Sequence, residues 1–253
     1  MVTANRPSPS HEEAEEEFRR RLIQRQSEGT IDDHALQYFS RVLEDRSTLN
    51  VTLKFVRNLA HGAQVLDLGC GMGSFEVELC KSSKYECIGL ELDKSFVRLA
   101  ALRLKLHGYR NASFVLGDIR ALPFRGRTFK IVVLHDVASV ANLKDLLGEI
   151  SRAIRTSGIF VFDAPLAKFY RLFPAQKSFR KYSKSDITDA LGRKKFVIEH
   201  ALLTGMPPIL QERYHLPVTL LRGVSRLVTS LPSKLQELLS QFWYDVLFVA
   251  KYG

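Results

Sequence analysis

Val65-Leu66-Asp67-Leu68-Gly69-Cys70-Gly71-Met72-Gly73-Ser74-Phe75 is the stretch that decides the fold of this chain. It opens as an apolar run carrying one acid, the signature of a strand buried on both faces. Three glycines at alternate positions end the run, and a helical pattern follows. Glycine has no Cβ, so it serves where the backbone must turn sharply or come close to a ligand. A strand, a glycine turn and a helix N-terminus in that order make a nucleotide site. The dinucleotide fingerprint is G-x-G-x-x-G/A. Gly69, Gly71 and Gly73 follow G-x-G-x-G instead, with Ser74 at the sixth position and Asp67 two residues ahead of the first glycine.

Downstream, strand and helix patterns alternate. The first strand is expected at about Gln64 to Leu68, with its helix at about Ser74 to Cys80. Glu86 to Glu91 reads as the second strand and ends in Gly89-Leu90-Glu91-Leu92-Asp93. A carboxylate at a strand's C-terminal end can accept from two adjacent ribose hydroxyls. Asp93 suits the N-cap of the next helix better. That helix runs from about Lys94 to His107, with Lys94, Arg98 and Lys105 on one solvent face. A short strand at Ala112 to Leu116 leads to Gly117-Asp118-Ile119-Arg120, again with an acid just past a strand end. Phe129 to Leu134 is a fourth strand, followed by His135-Asp136-Val137. A helix from Asn142 to Arg155 carries Leu143, Leu146, Leu147, Ile150 and Ile154 at helical spacing, and Ser157-Gly158 turns into a fifth strand at Ile159 to Phe162. Such alternation predicts a doubly wound, mostly parallel sheet.

Around this centre the organisation is less regular. Residues 1–9 are expected to be disordered, and residues 10–61 to form N-terminal helices. Ser10 and Glu13 form a capping-box pattern, with Phe18 and Leu22 as the buried contacts of the first helix. A second helix is expected from Thr30 and Asp33 onward, and a third at about Asn50 to Ala60, stopping at Gly62. Residues 62–253 form the main domain. It contains a basic connection at 165–184, with Lys168, Arg171, Lys177, Arg180, Lys181 and Lys184, and a helical insertion at 206–240. Phe196 to Leu203 and Phe242 to Ala250 read as the last two strands, the last one antiparallel.

Composition bounds the function. The 253 residues are 45% hydrophobic, enough for one α/β domain with additions. No apolar run reaches the roughly 18 residues of a membrane span. The acidic N-terminal stretch does not read as a secretory signal. Cys70, Cys80 and Cys87 lack C-x-x-C spacing, so neither a metal site nor a disulfide framework is expected, and the cytoplasm is the expected compartment. The net charge of +10 points to an anionic partner or simply to solubility.

Val65 to Phe75, Gly89 to Asp93, Gly117 to Phe124, and Phe129 to Val137 followed by Ser157-Gly158 and a strand stand in an order that resembles the class I S-adenosylmethionine-dependent methyltransferases. The likeness is strongest to the group acting on small molecules and quinones, and it covers about residues 50–165. It implies a Rossmann-like, seven-stranded, mostly parallel sheet with an antiparallel last strand, and S-adenosyl-L-methionine as cofactor. By resemblance, Asp67, Gly69, Cys70 and Gly71 line the methionyl end and Gly73 tightens the turn. Glu91, followed by Leu92, holds the ribose, and Asp118 with Ile119 reads the adenine edge. His135 and the residues after it face the sulfonium and the acceptor. His135 and Asp136 are the candidates for a general base or for positioning the acceptor, since histidine titrates nearest neutrality.

The acceptor is less legible. There is no [DN]-P-P-[YFW] tetrad after the fourth strand and no Pro-Cys pair, both patterns of base methylation. A small-molecule acceptor, lipid-like or anionic, is therefore expected. RNA or protein as acceptor, kept open by the basic connection, and a non-catalytic cofactor-binding role are the alternatives. The 206–240 segment reads as a lid, a membrane-surface element or plain packing. Oligomeric state is not encoded in any pattern found.

Overall fold

A computed structural model describes residues 10–29, 31, 46–59, 62–82, 84–168, 180–204, 223–224, 227–240 and 245–253. Its elements in chain order are α1 (His11–Ser27), α2 (Ser47–Leu59), β1 (Gln64–Leu68), α3 (Ser74–Cys80), β2 (Glu86–Glu91), α4 (Lys94–Leu106) and β3 (Ala112–Leu116). They continue with β4 (Phe129–Leu134), α5 (Leu143–Ala153), β5 (Ile154–Pro165), α6 (Lys184–Gly192), β6 (Phe196–Leu203), α7 (Ser233–Ser240) and β7 (Asp245–Tyr252).

The strands form one seven-stranded sheet in the order β3-β2-β1-β4-β5-β7-β6. β1 is parallel to both β2 and β4, β2 to β3, and β4 to β5. β7 runs antiparallel to β5 and to β6. The expected fold class is therefore present, with β7 inserted between β5 and the edge strand β6. Strand order reverses between β1 and β4, so a crevice opens at their C-terminal ends, where ligands bind in such sheets.

Side-chain alternation explains the two cores. Leu66, Leu68, Val132, Leu134, Phe160, Phe162 and Phe248 lie on one face, packed with Leu143, Leu146, Leu147 and Ile150 of α5 and Ile187 and Leu191 of α6. Val65, Ile131, Val133, Val161 and Val249 face the other way, against Leu49, Leu53 and Val56 of α2 and Phe75 and Leu79 of α3. Because helices cover both faces, the central strands read as unbroken apolar runs rather than as alternations.

Three boundaries differ from expectation. α5 ends at Ala153, and Ile154 is already extended, at φ −78° and ψ 145°. It pairs with Phe129, and β5 runs from there through Ser157, which adopts φ 57°. The register shift between Phe129 and Ile131 absorbs the extra residues, so Ser157-Gly158 is a kink inside a strand and not the turn before one. α2 begins at Ser47, earlier than the pattern suggests. β7 continues past Ala250 to Tyr252.

Several expectations lie outside the described residues: disorder at 1–9, the second helix (Thr30 and 32–45), 169–179 of the basic connection, 206–222 and 225–226 of the insertion, and Phe242 to Tyr244. Among the described residues no helix is long and apolar enough to cross a membrane.

Candidate active site

The glycine turn sits where β1 delivers it. Gly69 and Cys70 donate their backbone N–H groups to the Leu90 carbonyl of β2, at 2.8 and 3.1 Å, so the turn is tied to the neighbouring strand end. Gly69, Gly71 and Gly73 have φ of 76°, 53° and 73°. A Cβ on Gly69 would lie 2.5 Å from Val137 Cγ2, so glycine is required there for space as well as for conformation. Gly73 is the left-handed N-cap of α3 and offers that helix no side-chain cap.

Asp67 is 3% exposed on β1, and its Oδ1 has no hydrogen-bond partner. Beside it on α3, Glu76 is fully buried, its carboxyl set against that of Asp67. Burial pushes the Asp67 carboxyl up to about 7, and the charge of Glu91 adds to the rise. Burial and the nearby Asp67 also raise Glu76 well above the usual carboxylate range, which favours a proton retained between the two. A Cβ on Gly89 would collide with Glu76 Oε1 and Cys70 Sγ, which places both side chains under the turn against β2. Burial also pushes the Cys70 thiol up, and it is a packing group rather than a nucleophile.

Glu91 ends β2 and turns back to the glycines. Its Oε2 accepts from Gly71 N at 3.0 Å, and its Oε1 accepts from the backbone N–H groups of Leu92 and Asp93 at 2.7 and 3.0 Å. The acid assigned to the ribose thus also braces the turn. Leu92 is 66% exposed beside it, and Asp93 caps α4 as expected. At the next strand end Gly117 N donates to Glu91 O at 2.9 Å, which carries Asp118 and the half-buried Ile119 to the same edge. Asp118 is gripped by its own neighbour, with Arg120 Nε 3.0 Å from each carboxylate oxygen and Nη2 2.6 Å from Oδ2. Those bonds hold the Asp118 carboxyl down at about 2.

Beyond β4 the site changes character. His135 Nε2 lies 2.5 Å from Thr52 Oγ1 of α2, and its ring meets Phe75 edge-on at 5.7 Å. Burial lowers His135 to about 4, so it is neutral at physiological pH. Asp136 is exposed at φ 55°, and its N–H donates to Asp163 Oδ1 at 2.9 Å. Carboxylate oxygens of Asp136, Asp163 and Asp245 all lie within 4.8 Å of one another. Asp163 and Asp245 are buried, and burial together with the Asp245 and Asp136 charges raises Asp163 well above the usual carboxylate range. Like charges this close are relieved by retaining a proton.

The sequence-stated residues therefore gather at one edge of the sheet. Asp67, the three glycines, Glu91 and Asp118 sit at adjacent strand ends, and His135 and Asp136 sit across the switch point. Thr52, Glu76, Asp163 and Asp245 escaped sequence reading. Thr52 lies 83 residues from its partner His135 and Asp245 lies more than a hundred residues beyond Asp136, and Glu76 looks like any acid in a helix's first turn.

Comparison with known proteins bears on the family and the fold. Residues 59–200, more than half of the chain, match the family model described as a methyltransferase domain. Demethylmenaquinone methyltransferase of Lactococcus lactis is 29% identical over 110 residues, which is 42% of this chain and 43% of that protein. Sterol 24-C-methyltransferase of Schizosaccharomyces pombe is 28% identical over 110 residues, 43% of this chain and 29% of that protein. The chain thus matches about half or less of the length of these curated relatives. Among solved structures, geranyl diphosphate methyltransferase in complex with S-adenosylmethionine superposes with a TM-score of 0.61 at 17% identity, over 81% of this chain and 84% of that one. Magnesium protoporphyrin IX methyltransferase of Synechocystis with bound S-adenosylhomocysteine gives 0.57 at 16% identity, over 81% and 82%. The chain belongs to the methyltransferase-domain family.

Proposed function

We propose that this chain is an S-adenosylmethionine-dependent methyltransferase acting on a small, apolar-bodied acceptor. The observation that carries the proposal is the convergence of three left-handed glycines with Asp67, Glu91 and Asp118 at adjacent strand ends. The donor set fits that cofactor. The cofactor carries a sulfonium, an amine and a carboxylate but no phosphate, so it calls for close backbone approach and carboxylates rather than a phosphate cradle. Asp67, buried beside Glu76 with no cation against it among the described residues, would accept from its ammonium. Glu91 takes the ribose hydroxyls on lone pairs not used by Gly71, Leu92 and Asp93. Asp118 and Ile119, at the next strand end, would meet the adenine.

When bound, the cofactor supplies a methyl already activated by the sulfonium: the acceptor's lone pair forms the new bond to carbon as the carbon–sulfur pair returns to sulfur. The chain's own work is alignment and exclusion of water. Neutral His135, anchored by Thr52 and Phe75, supplies a fixed polar wall on the acceptor side. Asp136, exposed just beyond β4, would take a proton from an acceptor that is not yet ionised. The small-molecule reading is supported by relatives and structural neighbours named for quinone, sterol, porphyrin and prenyl diphosphate substrates.

Incubation of the chain with methyl-labelled S-adenosylmethionine and fractionated extract tests the proposal. Label in the lipid or small-metabolite fraction is the expected result. Label in RNA or protein would replace the acceptor class, and binding without transfer to any fraction would replace the enzyme with a cofactor-binding subunit.

A further inference from the structure

Arg103 heads the largest fully buried side chains among the described residues, at 1% exposure, and it reaches two distant parts of the chain at once. Its Nε and Nη2 donate to Glu15 Oε1 and Oε2, both at 2.9 Å, in a two-pronged pair with α1. Its Nη1 donates to Ser74 Oγ at 2.8 Å and to the Met72 carbonyl at 3.4 Å. Met72 and Ser74 flank Gly73, whose φ is 73°. The guanidinium therefore fixes the residues on both sides of the left-handed position in the glycine turn, where α3 has no side-chain cap of its own.

Apolar packing follows the same line. Phe18 and Leu22 of α1 share one buried cluster with Met72 of the turn and Leu99 of α4. The Arg103 guanidinium lies 5.3 Å over the Phe18 ring. Glu15 is held from a third direction by His107 Nε2, 2.8 Å from its Oε1. Burial pushes the Glu15 carboxyl up, but the bonds from His107 and Arg103 prevail and set it at about 2. A buried guanidinium is tolerated only when its donors are matched, and here the match comes from an element that precedes the methyltransferase sheet by some forty residues of chain.

We propose that Glu15 and Arg103 are a positioning pair through which helix α1 holds the Met72-Gly73-Ser74 turn in its cofactor-binding form. The inference rests on the glycine turn being the cofactor's methionyl site. α1 is then a working part of that site and not an appendage. A fork is required, because only a planar guanidinium can bind Glu15 with two prongs and keep a third for the turn.

The test is calorimetric titration of the full chain with S-adenosylmethionine, alongside unfolding without cofactor. Glu15→Gln and Arg103→Lys should each raise Kd about tenfold, the equivalent of losing one charge-assisted contact to the turn. Arg103→Lys keeps the charge and loses the fork, so a role in charge alone predicts wild-type affinity for it. Glu17→Gln, which breaks only the exposed pairs with Arg20 and Arg21 on the same helix, should bind as wild type does. In turnover the Glu15 variant should show a raised cofactor KM, with kcat restored at saturating cofactor. Should Glu15→Gln fail to fold, Glu15→Asp shortens the reach by one methylene and carries the same expectation. Wild-type Kd in a folded Glu15 variant, with only the unfolding midpoint lowered, would overturn the inference and leave the proposed function standing. Absence of binding to the wild-type chain would overturn both.

Discussion

The proposed cofactor side of the site draws on one continuous stretch and the next two strand ends, whereas the acceptor side draws on residues scattered from Thr52 to Asp245. On the first side backbone sets the geometry: glycine N–H groups come from the turn itself, and the strand-end carboxylate of Glu91 is held by the Gly71 N–H. On the second side it is set by side chains, with Thr52 on His135 and Asp163 on the Asp136 backbone. Backbone geometry is dictated by local sequence, so it can be conserved in form while the side chains opposite it change. A family fold can thus keep one cofactor and vary its acceptors.

Gly69→Val attacks the first side at its tightest point. Backbone strain at φ 76° costs about 1–3 kcal/mol, and the branched side chain also meets Val137. Cofactor affinity should fall about 100-fold or more by calorimetry, with the protein still folded by circular dichroism. A wild-type Kd would mean that the turn does not approach the cofactor at all.

A second effect separates the two sides by pH. Asp67 titrates at about 7, raised by burial from 3.8. An acid raised in the folded chain retains its proton there, so in the absence of ligand it subtracts from stability as pH rises from about 4 to about 7. The cofactor has a net positive charge and favours the ionised carboxylate. Affinity should therefore rise with pH up to about 7 and level off above it, approaching tenfold per pH unit on the acid side. Asp67→Asn should flatten that slope. A flat wild-type profile would show that Asp67 does not face the cofactor.

The smallest effect belongs to the acceptor side. Thr52→Val is near in shape and removes only the hydroxyl that meets His135. It should leave cofactor Kd unchanged and lower kcat about three- to tenfold, as one neutral hydrogen bond is worth about 1 kcal/mol. Because burial sets His135 at about 4, the profile of kcat at saturating cofactor, where the Asp67 titration no longer limits binding, should show no limb near 6.5 in either protein. Such a limb, lost on His135→Ala, would make His135 the titrating base.

The same contrast explains what was legible in the sequence. β1 through β4 match the expected strand bounds because an apolar run between glycines and acids allows little else. Glu91 and Asp118 could be singled out because a strand end tells where a carboxylate will be. β5 was misread at its start: Ile154 fits the helical spacing of α5, and only pairing with Phe129 draws it into the sheet. Thr52 could not be found, since a threonine inside an amphipathic helix reads as neutral and its partner lies 83 residues away. Glu15 stands in an acidic run that nothing in the sequence marks for burial, yet it meets a buried guanidinium 88 residues on. Periodicity tells which face of an element is buried but not which polar group waits beneath it.

The most direct test of the central claim is calorimetric titration of the intact chain with S-adenosylmethionine at pH 8, where Asp67 is ionised. Saturable binding at one site per chain, lost on Gly69→Val, is the predicted result. No saturable heat up to about 1 mM cofactor, the range of the weakest specific binding, would contradict it.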